Sequence, residues 1–461
     1  MELTQGLEWP AARENTALLT DKYELTMLDA ALKNGTADRH CIFEVFTRSL
    51  PAGRRYGVVA GTGRILEALQ NFKFTDEDLK YLTDTKAVDP ATIEYLRNYK
   101  FTGNIWGYAE GETFFANSPI LQVEGTFAEC CVLETLILSI LNYDSAVASA
   151  ASRMTSAAVN RPCLEMGSRR VNEQAAVAAA RAAVIAGFAG TSNLEAGYRY
   201  GIPTIGTAAH AFTLLHDDEL SAFKAQINAF GTNTTLLVDT YDVKRGIDNA
   251  IKAAGPNLGA IRIDSGDLGV LAVEARDQLD KLGATNTKIT VTSDLDEYAI
   301  AALAAVPVDS FGVGTSLATG SGAPTCGMVY KLVARTNSDG VLEGVAKAAT
   351  NKSSSGGRKN AGRKLDAESR DVEELLVIGD DNAVKNWHPD DPKIRPLMVP
   401  LVTNGVIDTK WVGAQGVKNA IARHTASRNE LPRLARRLSN GEPAIHQSTL
   451  DLGGLIMDKV V

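Results

Sequence analysis

The 461-residue sequence predicts an α/β fold whose central part is a (β/α) barrel. Short apolar segments ending in polar or glycine-rich loops recur from residue 163 onward, each followed by an alanine- or leucine-rich stretch. Alternation at roughly 20 to 30 residues implies parallel strands with crossover helices. About seven such units make a barrel more economical than an open doubly wound sheet. No G-x-G-x-x-G follows a strand candidate and no Walker A sequence is present, which weakens the dinucleotide and P-loop alternatives.

The elements follow in chain order. Residues 23–33 read as a helix, opened by Thr20 or Asp21 and stopped by Asn34-Gly35. Residues 41–46 alternate as a half-buried strand, 61–71 form a second helix, and a third begins at 76–82. Gly103, Gly107 and Gly111 punctuate short strands between 101 and 123. Val132, Leu133, Leu136, Ile137, Ile140 and Leu141 recur at helical spacing, and the small residues of 146–158 suit close helix packing. Barrel strands are expected at 163–166, 203–206, 235–238, 260–263, 289–292 and 310–313, with another near Gly187; 330–334 is one more short strand. The resulting division is an N-terminal α/β unit (1–127), the barrel (128–345), a basic loop (346–365) and a C-terminal segment packing on the N-terminal unit (366–461).

Composition narrows the function classes. Hydrophobic residues at 45% and charged residues at 22% are the balance of a globular enzyme. With 47 Lys plus Arg against 55 Asp plus Glu, the net charge of −8 argues against an overall basic nucleic-acid binder. No apolar run reaches the about 20 residues of a membrane span. The N-terminus lacks a secretory pattern, and the five cysteines form no Cys-x-x-Cys pair, so a cytoplasmic protein without a disulfide or metal framework is expected.

Residues just past each strand of a parallel barrel converge on one face, where ligands bind. Here they are Gly167-Ser168-Arg169-Arg170, Thr207-Ala208-Ala209-His210, Asp239-Thr240-Tyr241-Asp242, Asp264-Ser265-Gly266-Asp267, Ser293-Asp294 and Gly314-Thr315-Ser316. Arg169 and Arg170 read either as solvated surface charges or as substrate cations. His210, directly after a strand ending Gly-Thr, reads as functional rather than packed. Asp264 and Asp267 can cap the next helix, yet Arg262, two residues before Asp264, shares its side of the strand. Gly314-Thr315-Ser316 is a phosphate nest or a plain turn. Residues 347–364 carry Lys347, Lys352, Arg358, Lys359, Arg363 and Lys364 without one acid. The plain reading is a solvated loop or a nucleic-acid patch; the sharper one is a mobile loop closing over a polyphosphate.

Seven stretches together resemble the nicotinate phosphoribosyltransferase family, in the family's order: LTDKYELTM (19–27), GSRR (167–170), GTSN (190–193), GTAAH (206–210), RIDSGD (262–267), GVGTS (312–316) and the basic loop from Lys347. The resemblance implies a type II phosphoribosyltransferase. Such a protein has an irregular barrel plus an α/β domain built from both chain ends, in a head-to-tail homodimer with shared active sites. The implied reaction joins nicotinate and 5-phosphoribosyl 1-diphosphate into nicotinate mononucleotide and diphosphate, with coupled ATP hydrolysis and Mg²⁺, in the salvage branch of NAD synthesis. By motif, His210 matches the histidine phosphorylated from ATP, and Tyr23 the aromatic that stacks on the pyridine ring from the neighbouring subunit. Thr207 and Arg262 match nicotinate contacts, Arg169 or Arg170 the basic pair beside the substrate, and Gly314 and Thr315 phosphoribosyl diphosphate contacts. Asp264 and Asp267 fall where the family places acids near ribose and metal, and Lys347, Lys352, Lys359 and Arg363 are the loop cations. Metal ligands stay unassigned, and Asp239 and Asp242 are both candidates for the acid that orients His210. The chain departs from the family's usual residues at Lys22, Glu24, Ala349 and Gly356.

The chemistry fits these residue types. Glycosyl transfer passes through an oxocarbenium-like centre that an acid can balance. An arginine fork suits the carboxylate of nicotinate better than a neutral amide. Two alternatives remain at this level: a nicotinamide or quinolinate phosphoribosyltransferase, and a non-catalytic barrel that binds phosphorylated ligands or RNA.

Overall fold

In the computed structural model, which describes residues 15–347, 355–368, 370–441 and 444–453, one helix runs through both large hydrophobic cores. This helix, Glu134–Ala157, joins the two stretches expected as helical. Leu136, Ile137, Ile140 and Leu141 on its first half enter the core under an antiparallel sheet. Val147, Ala148, Ala151 and Met154 on its second half enter the core of the parallel sheet. Its small residues admit a neighbouring chain segment so closely that the Ser149 and Ser145 hydroxyls accept from the Val58 and Ala60 N–H groups at 2.9 and 3.1 Å.

The antiparallel sheet has seven strands in the order Leu342–Gly344, Met328–Thr336, His40–Thr47, Leu121–Thr126, Asn104–Tyr108, Met398–Thr403 and Val406–Ile407. Segments from before and after the barrel region therefore share one sheet, as the expected fold class requires. The helix Lys22–Asn34 packs on this side and ends at Gly35, whose φ of 77° is the left-handed cap that the Asn-Gly pair announces.

The parallel sheet has six strands in the order Gly190–Thr191, Cys163–Glu165, Ser310–Val313, Lys288–Ser293, Ala260–Ile263 and Thr235–Leu237. The uncertain strand near Gly187 lies at Gly190–Thr191. The strand expected at 203–206 is reduced to a single bridge from Thr204 to Thr191. Among the described residues no ladder joins it to Thr235–Leu237, so the sheet curls but stays open at that seam. A cavity of about 310 Å³ occupies the gap, bordered by Thr204, Ile205 and Thr235.

A further sheet orders Ile394–Pro396, Asn360–Leu365, Asp371–Ile378 and His446–Asp451, and it corrects the reading of the basic loop. Residues 360–365 are a strand, and the preceding cations are taken internally. Arg358 pairs with Glu124 at 2.9 Å and with Asp381 at 2.7 Å; Lys359 pairs with Glu44 at 2.7 Å. Arg363 is fully buried and pairs with Asp371 at 3.0 Å and Glu374 at 2.7 Å. Arg358 and Lys359 reach acids on strands far earlier in the chain and Arg363 reaches acids on the next strand, because a buried charge must be paired. The five cysteines are free and buried, and no helix among the described residues is long and apolar enough to cross a membrane.

The same region holds Glu112, buried beside Arg395 at 2.8 Å, Arg423 at 3.3 Å and Arg363 at 3.9 Å. Burial alone would raise its pKa; the three guanidiniums outweigh burial and hold it at about 2, below the ordinary 4.5. A depressed folded pKa gives stability that is complete above the ordinary value and lost as pH falls toward the folded one. Asp371, pushed up to about 6 mainly by burial, has the opposite sign, its contribution being lost as pH rises through about 6. Urea midpoints should therefore fall as pH drops from 4.5 toward 2, and Glu112→Gln should flatten that fall; an unchanged slope would contradict the assignment.

Candidate active site

The carboxyl ends of the parallel strands bring their loops to one mouth, and two glycines let them meet. A Cβ on Gly312 would lie 2.4 Å from Thr292 Cγ2, and one on Gly167 would lie 3.0 Å from the Gly314 carbonyl oxygen. No larger residue fits either position without displacing the neighbouring strand end.

His210 begins a short helix, His210–Leu214, after the segment carrying Thr207. Its Nδ1 is 3.0 Å from Thr240 Oγ1, while its Nε2 faces Asp239 Oδ1 at 3.8 Å and Asp264 Oδ2 at 3.9 Å. Those two separations are too long for hydrogen bonds. Asp239 is the buried member, its side chain 2% exposed. Its Oδ2 accepts from the Asp264 N–H at 2.9 Å and the Ser265 hydroxyl at 2.6 Å, whereas its Oδ1 is buried with no hydrogen-bond partner. Asp242 is spent as the N-cap of Val243–Ala254. Of the two acids left open for His210, Asp239 is therefore the one at its side.

Arg262 is braced rather than free. Its guanidinium donates to Thr292 Oγ1 at 3.1 Å and to Thr207 Oγ1 at 2.8 Å, and it stands 3.4 Å from Asp264 Oδ1. The Thr292 hydroxyl in turn donates to Asp264. Cation, acid and histidine thus form one cluster across three strand ends. Arg262 also lines the 310 Å³ cavity of the open seam with Leu164, Met166, Thr204, Ile205 and Thr290.

The other expected residues divide. Arg169 and Arg170 are exposed and make no ion pair among the described residues, and Thr315 is exposed at the end of Ser310–Val313 beside half-buried Gly314. Asp267 caps the helix Leu268–Lys281, its Oδ1 accepting from the Gly269 and Val270 N–H groups at 3.1 and 3.2 Å. The plain reading of that aspartate holds. Tyr23, 45% exposed on Lys22–Asn34, turns its phenol to Glu134 and to no residue of the mouth; burial, then these nearby acids, pushes its pKa up. Lys347 is exposed, Lys352 lies outside the described residues, and Lys359 and Arg363 are buried in the ion pairs already described, unavailable to a ligand. The sequence reading named Thr240 only as a strand-end residue and Thr292 only as a strand residue, and gave neither a role. A hydroxyl beside a strand-end acid was the available signal, and only folding shows which atom it meets.

Gly312→Ala should act through this cluster. The added methyl must move Thr292 and with it the brace on Arg262, at an overpacking cost of about 1–3 kcal/mol. A ligand that uses Arg262 should bind more weakly to the variant while thermal unfolding stays cooperative; unchanged binding would show that the mouth tolerates the shift.

Residues 18–142 match the nicotinate phosphoribosyltransferase (NAPRTase) N-terminal domain, and residues 162–388 match the NAPRTase family. The chain is 55% identical over 452 residues to nicotinate phosphoribosyltransferase pncB1 of Mycobacterium tuberculosis, covering 96% of this chain and 97% of that one. It is 39% identical over 415 residues to the nicotinate phosphoribosyltransferase of Bacillus subtilis, covering 86% and 84% respectively. Among solved structures, human nicotinic acid phosphoribosyltransferase shares the fold with a TM-score of 0.77 at 24% identity, covering 93% of this chain and 97% of that one. A Pyrococcus furiosus nicotinate-nucleotide pyrophosphorylase gives a TM-score of 0.71 at 25% identity, over 93% and 99%.

Proposed function

The chain belongs to the nicotinate phosphoribosyltransferase family, and we propose that it forms nicotinate mononucleotide and diphosphate from nicotinate and 5-phosphoribosyl 1-diphosphate in NAD salvage, with ATP hydrolysis coupled through His210. The observation that carries this reading is the histidine held between a hydroxyl and two carboxylates, beside a braced arginine, at the mouth of the parallel sheet.

The roles follow from charge and geometry. Asp239 and Asp264, on the Nε2 side, favour a proton on that nitrogen, which leaves the Nδ1 lone pair as the nucleophile once Thr240 yields its place. Attack on the γ-phosphorus of ATP forms the N–P bond as the bond to ADP breaks, and water later releases phosphate. In the transfer itself the pyridine nitrogen forms the bond to C1 of ribose as the C1–O bond to diphosphate breaks. Asp264 can balance the positive charge on the ribose, and Arg262 with Arg169 or Arg170 can hold the nicotinate carboxylate. Among the described residues, Thr315, Gly314 and Lys347 are the expected phosphate groups that no ion pair takes up.

Mg²⁺ is usually held by one or two carboxylates together with substrate phosphates. Asp239, with a buried Oδ1 that meets no donor, and Asp264 fit that pattern. Among the described residues no group of three His, Cys, Asp or Glu side chains forms a complete protein site. The ion would supply charge neutralisation of the leaving diphosphate.

A homodimer with shared sites accounts for Tyr23. Leu19, Tyr23 and Met27 are exposed apolar residues near the chain's start, and Leu194, Tyr198, Leu214 and Leu215 are exposed on helices around the parallel sheet. Exposed apolar surface of this kind marks contact sites.

Incubation with γ-labelled ATP should give an acid-labile phosphohistidine that is lost in His210→Asn; equal labelling of the variant would remove His210 from its role. Nicotinate, nicotinamide and quinolinate offered in parallel should give product from nicotinate, and turnover of nicotinamide instead would overturn the substrate assignment. RNA retained on filters across a salt series, with no turnover of any of the three, would favour the non-catalytic alternative. Mixing inactive His210→Asn and Tyr23→Ala subunits should restore part of the activity, because one site of the mixed dimer then keeps both residues. No recovery would count against sharing.

A further inference from the structure

Glu165 closes the strand Cys163–Glu165 and is 1% exposed, yet no cation pairs with it among the described residues. Burial raises its pKa, and two donors oppose that shift. One carboxylate oxygen accepts from the Gly167 N–H and the other from the Thr191 hydroxyl. The circuit continues beyond these bonds. Thr191 Oγ1 accepts from the Asn193 N–H at 2.9 Å, and the Asn193 amide donates to Ser168 Oγ at 3.1 Å. The Glu165 carbonyl also takes the Ser192 N–H at 2.8 Å, and the Gly167 carbonyl takes the Arg170 N–H at 2.9 Å. Glu165, Gly167, Ser168, Asn193 and Thr191 thus form a closed ring that locks two strand-end loops together.

A carboxylate buried without a counter-cation is costly to fold around. An apolar residue would fill the same space more cheaply, but it would leave the Gly167 N–H and the Thr191 hydroxyl without a partner. The ring has one exposed output, the turn that displays Arg169 and Arg170.

We propose that Glu165 is a positioning residue: its two carboxylate oxygens set the register of the 167–170 turn against the 191–193 loop, and so the aim of the Arg169 and Arg170 guanidiniums at the substrate carboxylate. This rests on the reading that the arginine pair binds nicotinate. Glu165 touches no substrate and acts through the backbone at Gly167.

Steady-state kinetics on Glu165→Ala, Glu165→Gln and Thr191→Val, each with its thermal midpoint, test it. Glu165→Ala should raise KM for nicotinate about 10- to 100-fold, the size of one or two buried bonds lost. KM for 5-phosphoribosyl 1-diphosphate and the rate of His210 labelling from ATP should move less than about 3-fold, since no bond of the ring is made to Gly314, Thr315 or His210. Glu165→Gln keeps an acceptor for Gly167 and should recover most of the loss. Thr191→Val removes the hydroxyl's bond to Glu165 and its bond from the Asn193 N–H but leaves the Gly167 bond in place, and it carries the test if Glu165→Ala does not fold; its KM for nicotinate should rise about 3- to 10-fold. A uniform fall in every rate together with the midpoint would mark a purely structural role and overturn the proposal, as would an unchanged KM for nicotinate. Arg169→Ala and Arg170→Ala separate the two claims. If they raise that KM and the Glu165 variants do not, the positioning role alone fails. If they leave it unchanged, the reading of the arginine pair fails and the proposal falls with it.

Discussion

The Arg181–Glu110 ion pair is the constraint on which the two halves of the molecule depend. Both side chains are almost fully buried, and the guanidinium meets the carboxylate through two bonds of 2.6 and 2.7 Å. Glu110 follows a strand of the antiparallel sheet, and Arg181 lies on Glu173–Ile185, the helix that begins three residues after Arg170. The same carboxylate accepts the Gly61 and Gly63 N–H groups, and a Cβ on Gly63 would lie 2.4 Å from the Arg181 guanidinium. Losing either partner would strand a charge in the interior. The helix that follows the arginine turn is therefore anchored to the other sheet, and it cannot slide without breaking the pair.

The long helix Glu134–Ala157 makes that anchoring possible. Alanines and serines on its second half bring the 57–60 segment within hydrogen-bonding reach, so the serines satisfy backbone donors that would otherwise be buried and unpaired. Close packing on one side leaves the parallel sheet fixed on the other. Its strand ends can then hold side chains in a tighter register than loops alone provide.

Charge is distributed by the fold rather than by the sequence average. Four cations that stand close together in sequence, Arg358, Lys359, Arg363 and Lys364, all meet carboxylates, three of them in the interior. Arg169 and Arg170, exposed and without an ion pair among the described residues, lie just past the strand Cys163–Glu165, at the end of the sheet where Asp239 and Asp264 face the imidazole.

Alternation of strand and helix, the Asn34-Gly35 stop and the strand-end motifs were legible in the sequence because they are local: periodicity, turn chemistry and a residue's place after a strand depend on near neighbours. That is enough to put His210, Thr207, Arg262 and Asp264 on one face. The tertiary structure decided what depends on distant partners. It took Lys359 and Arg363 out of the candidate site, chose Asp239 over Asp242 beside His210, used Asp267 as a cap, and left the sheet open between Thr204 and Thr235–Leu237. A cation's role is fixed by the nearest acid in space, and for Lys359 that acid, Glu44, stands on a strand 315 residues earlier in the chain, where no local pattern can reach.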